Sequence, residues 1–254
     1  MLVEKGYIRV ARGPKENRFR PAIDPLFRSA AYVYGPRVIG VVLTGALDDG
    51  TAGLWTIKLR GGTAVVQEPS DALIRSMPLN ALDNVAVDHR LPASEIGTLL
   101  GRLARQQAPA PVGVAADEDE KTRHEIRIAK EREALEEGIL DFGELSPFTC
   151  PECHGVLTML REDMITRFRC HTGHAFSAGT LLESAAEAIE ARLWDAVRAV
   201  DETVMLLNHL GEELAKAGNA AAAARCFDKA REAHERMAPV REKAMESGST
   251  LQPD

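Results

Sequence analysis

Hydrophobic positions cluster differently in the two halves of the chain. In the first half, residues 38–43 read Val38-Ile39-Gly40-Val41-Val42-Leu43 with no charged position, the pattern of a strand covered on both faces of a parallel sheet. The run passes into Thr44-Gly45-Ala46-Leu47-Asp48-Asp49-Gly50, a helix-period segment over 51–59, Gly61-Gly62 and a second strand over 63–67. This order predicts a strand, helix, strand unit with a right-handed crossover. A shorter strand near Val85-Ala86-Val87 and a helix over 94–104 continue the alternation. Ahead of them, Leu2-Val3 and residues 7–10 flank Lys5-Gly6, which reads as a β-hairpin.

The second half changes in kind. Residues 118–137 are charge-rich and helical in period, a short loop is expected to end at Ser146-Pro147, and a cysteine- and histidine-bearing segment covers 148–178. Beyond it Leu182, Ile189, Leu193, Ala196, Val200, Leu207 and Leu214 recur at helical spacing. Gly218-Asn219 interrupts the run, and Ala223, Phe227, Ala230, Met237 and Ala244 share one face of a second helix, an antiparallel helical hairpin. The expected fold class is α/β: a partial doubly wound parallel sheet, a small zinc-ribbon-like unit and an α-helical hairpin. The expected divisions are 1–107, a linker and charged helix over 108–147, a metal-binding knuckle over 148–178 and the hairpin over 179–247.

Charge reinforces the division. The net charge is −7, yet residues 1–110 are net basic and the rest strongly acidic, with a Pro/Ala/Gly linker over 107–113 followed by Asp117-Glu118-Asp119-Glu120. An acidic chain lacks the basic footprint of sequence-independent nucleic-acid binding. Arg9, Arg12, Lys15, Arg18 and Arg20 could meet an acidic receptor helix, but are read in preference as a solvated charged face. No apolar run approaches the ~20 residues that span a bilayer, and Met1-Leu2-Val3-Glu4-Lys5-Gly6 does not have a signal-peptide layout. A cytoplasmic protein with no nucleic-acid partner and no membrane insertion is expected.

Three of the four cysteines lie in Cys150-Pro151-Glu152-Cys153 and Arg169-Cys170, and His174 follows Cys170 by four residues. Two thiolates on one tight turn and a second pair from another turn close a tetrahedral shell, so Cys150, Cys153, Cys170 and His174 are read as ligands of a structural Zn2+. A redox Cys-x-x-Cys or a disulfide is the competing reading. Cytoplasmic disulfides are rare, and the second knuckle has no redox explanation. His154 and His171, each adjacent to a cysteine, are weaker ligand candidates. Cys226 reads as a small core residue among alanines, and His89, His124, His209 and His234 have no partner pattern.

Asp48 and Asp49 sit where the first long strand gives way to a helix, the carboxyl edge at which α/β sheets place ligands and catalytic groups. Spacing alone leaves open that Asp49 only caps the helix starting near Gly50. Several segments occur in order: Arg12-Gly13-Pro14-Lys15-Glu16-Asn17-Arg18, Arg20-Pro21-Ala22-Ile23-Asp24-Pro25-Leu26-Phe27-Arg28-Ser29, Val41-Val42-Leu43-Thr44-Gly45-Ala46-Leu47-Asp48-Asp49-Gly50-Thr51-Ala52-Gly53 and Ser76-Met77-Pro78. Over roughly residues 1–105 this series resembles the later part of the bacterial chemotaxis protein-glutamate methylesterase domain (CheB-type). The cysteine-bearing tail and helical hairpin are similar to an extension carried by some members.

The resemblance implies hydrolysis of γ-glutamyl methyl esters on chemoreceptors by a Ser-His-Asp triad, with Asp49 as the acid and a methylated chemoreceptor-like protein as partner. Ala46 and Leu47 stand where the family often has Met and Gly. None of the serines lies in the family's Gly-x-Ser-x-Gly-Gly context, and no histidine precedes His89. A carboxylate without an imidazole to orient cannot assist acyl transfer. The chain is therefore expected to be a truncated, inactive part of such an enzyme, or alternatively a non-catalytic zinc-stabilised interaction module in a chemosensory-type system. A truncated sheet exposes an apolar edge, so self-association through that edge or through the hairpin is also expected.

Overall fold

The amino-terminal hairpin forms as its pattern predicts, with β1 (Leu2–Glu4) and β2 (Tyr7–Arg9) paired antiparallel. The computed structural model describes residues 1–131, 143–162 and 165–246. After the hairpin comes α1 (Ile23–Tyr34), a helix absent from the expected elements. Its buried positions are Asp24, Pro25, Arg28, Ser29 and Ala31, and Ile23, Phe27 and Ala31, at four-residue spacing, form an apolar stripe packed on the core of the sheet.

The parallel sheet follows, in the strand order β3 (Ile39–Val42), β4 (Thr63–Gln67), β5 (His89–Leu91). α2 (Thr51–Leu59) and the strand β4 occupy the expected positions. The strand expected near residues 85–87 lies instead at 89–91, because α3 (Ser76–Asn84) occupies the preceding segment and Val85 closes its last turn, donating to Ala81 O. Pro78 sits in the first turn of α3, where a helix tolerates it. α4 (Ala93–Leu103) completes the alternation. One sheet face packs Val42, Ala64 and Val66 against Ala31, Leu54, Ile57, Met77 and Ala81, while Val65 meets Ile96 and Leu99 on the other. Burial on both faces is what the uninterrupted apolar strands required. Among the described residues β3 and β5 each pair with β4 alone and form the two edges of this sheet.

α1 and α2 touch closely at Gly53, where a Cβ would lie 2.6 Å from the Phe27 Cβ and 3.0 Å from the Asp24 carbonyl oxygen. Gly53→Ala is expected to destabilise the chain by about 1–3 kcal/mol through overpacking, as measured by urea denaturation; an unchanged midpoint would show that the two helices can separate at no cost.

α5 (Ala116–Glu131) follows the linker, and the expected continuation of this helix to residue 137 lies outside the described residues. The helix is not solvated all round: Thr122, His124, Glu125 and Ile128 are buried. Next, β6 (Glu144–Thr149), β7 (Val156–Glu162), β8 (Ile165–Cys170) and β9 (Ala175–Ser177) form a four-stranded antiparallel ribbon in sequence order. Ser146 and Pro147 lie within β6 rather than in a loop, and a register irregularity between Leu145 and Thr149 accommodates the proline, which has no N–H to give the ladder.

Residues 1–181 make one compact unit and residues 182–254 a second. The second is the expected helical hairpin, built from α6 (Ala178–Lys216), whose first residues belong to the first unit, and α7 (Ala220–Glu246). Asn219 caps α7 by accepting from the Ala222 N–H, and Asp201 pairs with Arg241 at 2.6 Å between the two helices. The expected last residue of the hairpin, 247, lies outside the described residues, and Cys226 is half-buried on α7. Among the described residues no helix is long and apolar enough to cross a membrane.

Candidate functional site

The turn after β3 is fixed by bonds from the neighbouring loop. Thr44 N–H donates to Gln67 Oε1, Gly45 N–H to Ile74 O, Met77 N–H to Gly45 O, and Leu47 N–H to Ser76 Oγ. Leu47 adopts a left-handed φ of +65° and Gly50 one of +94°. For a non-glycine residue such a conformation costs roughly 1–2 kcal/mol, and Leu47 is one of the two positions where the resemblance has Met and Gly.

This geometry turns the Asp49 side chain toward α1. Its Oδ2 accepts from the Ile23 N–H at 2.8 Å, and its Oδ1 accepts from the Asp24 N–H and the Asn17 amide, both at 3.3 Å. Asp49 is 5% exposed. It does not cap α2, whose N-cap is Gly50 with no side-chain bond; the orphan N–H groups it satisfies are those of α1. Asp24 reciprocates, accepting from the Gly53 N–H at 2.6 Å and from the Asn17 amide at 2.8 Å. Burial raises the pKa of Asp49 against the opposing pull of these N–H donors. Burial, and then the neighbouring Asp49 carboxylate, pushes Asp24 up to about 7. Asp48 points the other way and accepts from Thr180 Oγ1 at 2.8 Å.

The four sequence-predicted metal ligands come together. Cys150 and Cys153 lie on the turn between β6 and β7, Cys170 ends β8, and His174 precedes β9. All four donor atoms lie within 4.8 Å of one another, with Cys150 Sγ to His174 Nδ1 at 3.7 Å, and Cys153 Sγ to Cys170 Sγ and Cys170 Sγ to His174 Nδ1 both at 3.6 Å. Within the cluster the Cys170 thiol is lowered to about 2, first by the bond from Cys150, whereas Cys150 is raised by the same pairing. His154 and His171 are exposed and outside the group, as is half-buried Cys226.

Between the acid turn and this cluster lies a buried ion network that the sequence did not reveal. Glu16, Arg28, Glu125, Arg167 and Arg169 are each at most 5% exposed. Arg169 reaches Glu125 at 2.6 Å and Glu16 at 3.0 Å, Arg28 reaches Glu125 at 3.2 Å and Glu16 at 3.3 Å, and Arg167 bridges Glu125 at 3.0 Å and Glu162 at 2.5 Å. Burial disfavours ionised Glu125, but Arg167, Arg169 and Arg28 outweigh it and hold the group well below the usual range; at Glu16, Arg28 and Arg169 likewise outweigh burial and lower the pKa. Glu16, Asn17, Asp24 and Arg28 lie inside the motif segments, and the one signal for the ribbon's share was Arg167 and Arg169 at alternate positions of a strand, hence on one face.

Residues 1–100 match the family model described as CheB methylesterase. A protein of Leptospira interrogans (strain Fiocruz L1-130), named as a candidate protein-glutamate methylesterase/protein-glutamine glutaminase, is 47% identical over 91 residues, which cover 36% of this chain and 47% of that protein. Protein-glutamate methylesterase/protein-glutamine glutaminase 2 of Anaeromyxobacter dehalogenans is 39% identical over 105 residues, 41% of this chain and 31% of its own length. The solved Thermotoga maritima CheB methylesterase catalytic domain is 34% identical over 36% of this chain and 49% of its own, with a TM-score of 0.36. The chain thus spans about half or less of the length of these relatives. Over its first 100 residues, the segment that carries the acid turn, the chain is similar to the CheB methylesterase family.

Proposed function

We propose that this chain carries the acid-bearing part of a chemotaxis-type protein-glutamate methylesterase site, with Asp49 as the triad acid and a methylated chemoreceptor-like protein as partner in the cytoplasm. The observation behind this reading is the Asp49 carboxylate, desolvated at the carboxyl edge of β3 and oriented by three N–H donors. A triad acid serves by holding a histidine in the right tautomer and stabilising its cation. The bonded partners of Asp49 are Ile23, Asp24 and Asn17, and no serine of the sequence has the Gly-x-Ser-x-Gly-Gly context. The 254-residue chain alone is therefore inactive.

On this reading residues 1–107 form the methylesterase-like part, 108–147 a connecting segment, 148–178 a zinc knuckle and 179–247 the hairpin. Cys150, Cys153, Cys170 and His174 would hold the metal. A tetrahedral Zn2+ at the usual bond lengths places neighbouring donors about 3.5–3.8 Å apart, and the separations of 3.6–3.7 Å fit it. When bound, the ion supplies cross-linking of two turns, with all four positions taken by protein. The open edge of β3 and the hairpin are the surfaces proposed for self-association.

The test is methanol release from a γ-glutamyl methyl-ester receptor peptide by the full chain. None is expected above the peptide's own hydrolysis; turnover that Asp49→Asn abolishes would overturn the inactive assignment.

A further inference from the structure

Three consecutive residues, Lys15, Glu16 and Asn17, touch both turns that carry the proposed metal ligands. Lys15 Nζ pairs at 2.8 Å with Glu152, which lies between Cys150 and Cys153. Glu16 accepts from Arg169, the residue before Cys170, and the same guanidinium donates to Gly173 O at 2.7 Å inside the second turn. Asn17 N–H donates to Ala175 O at 2.8 Å, and Ala175 N–H donates to Lys15 O at 3.1 Å, so segment 15–17 extends the ribbon alongside β9. Asn17 Oδ1 also accepts from the Ser177 N–H at 3.1 Å. The other end of the same amide donates to Asp24 and Asp49. Asn17 is 3% exposed and adopts a left-handed φ of +48°, a conformation that asparagine tolerates better than most residues.

Resting on the zinc reading above, we propose that the ribbon is a metal-dependent clamp on the acid turn, with Asn17 as the positioning residue that passes the order of residues 173–177 to the Asp49 carboxylate. Metal binding orders the two ligand turns, because a site of this size has little stability of its own without the ion. Ordered turns hold Ala175 and Ser177, these hold both the backbone and the amide of Asn17, and the amide fixes one oxygen of each buried carboxylate. Thr180, at the start of α6, holds the adjacent Asp48 in the same way. Coupling of this kind is reciprocal: if the metal steadies the acid turn, losing the Asn17 amide must weaken metal binding, although Asn17 is no ligand.

The test uses the full chain. Its bound zinc is first measured by elemental analysis, and amide exchange is then compared with and without the metal, and between the wild type and Asn17→Gly, which keeps the positive φ accessible and removes the side chain. Expected results are one zinc per chain, faster exchange at Ile23 and Asp24 after metal removal while Ala64–Val66 in β4 keep their protection, the same change in zinc-loaded Asn17→Gly, and about five-fold or weaker zinc affinity for that variant by chelator competition. A chain that takes up no zinc overturns both the metal reading and the clamp. A chain that binds zinc, but whose Ile23 and Asp24 exchange and zinc affinity are unmoved by Asn17→Gly, overturns the clamp alone. If metal removal also exposes β4, the zinc-loaded variant decides between the two.

Discussion

Arg169→Ala is expected to lower the unfolding free energy of the zinc-loaded chain by about 3–5 kcal/mol, the usual cost of removing one partner from a buried ion pair. Arg169 is fully buried and contacts two glutamates, both ionised, as well as a backbone carbonyl. Without it Glu16 keeps only Arg28, and Glu125 keeps Arg28 and Arg167, so the site holds three glutamates against two arginines in a medium that solvates neither. Urea denaturation followed by circular dichroism reads the loss. A second variant, Glu16→Gln with Arg169→Met, removes one charge of each sign and should lose less than the two single changes added together, because the two side chains are in direct contact. A loss below about 1 kcal/mol for Arg169→Ala, the range of exposed pairs, would mean that water reaches the network.

The second large effect is in pH. The Asp24 carboxyl titrates near 7 in the folded chain against an ordinary 3.8, so the folded state holds a proton that the unfolded chain has released between those values. The stabilisation from this group is fully present below about pH 4 and is lost as pH rises to about 7, a change of up to about 4 kcal/mol at 1.36 kcal/mol per pH unit. Glu16 and Glu125 act in the opposite sense: their folded pKa values are depressed, so their contribution is present above the ordinary glutamate value and disappears as the solution becomes more acidic. Unfolding free energy should therefore peak between about pH 4 and 5 and decline toward about pH 7. Asp24→Asn should flatten the declining limb. The mismatch of its amide with the Asn17 amide adds a cost that does not vary with pH, so the slope between about pH 5 and 7 is the readout, and an equal slope in both proteins would assign the titration to another group.

The parallel sheet was legible because its strands are apolar on both faces and its glycines mark the turns; α2 and β4 follow directly from that. α1 and α3 were not: the apolar stripe of Ile23, Phe27 and Ala31 on α1 is interleaved with buried Asp24, Arg28 and Ser29 and follows two prolines, Pro21 and Pro25, and α3 is a short helix with a proline in its first turn. The four metal-ligand candidates were readable from spacing alone, because each pair sits within one turn. Asp49 was readable as an acid at a strand end, but its partners were not, as Ile23 and Asp24 lie 26 and 25 residues away on a helix that had not been recognised. The ion network was furthest from view: Arg169 and Glu16 are 153 residues apart. Composition also misdirects here, for the charged stretch around residues 9–20 reads as a solvated face and residues 118–137 only as a charge-rich helix, yet Glu16 and Glu125 within them are buried.

Charges across the ribbon's seat are unequal on each side and cancel only together. Glu16, Glu125 and Arg28 bring a surplus of one negative charge, and Arg167, Arg169 and Glu162 a surplus of one positive. A ribbon transplanted from an unrelated chain, with apolar residues at the two arginine positions, would meet an unanswered carboxylate and fail to seat. Exchange of the ribbon by recombination would therefore call for compensating changes at positions 16, 28 or 125, and exchange of the opposite side for changes at 162, 167 or 169.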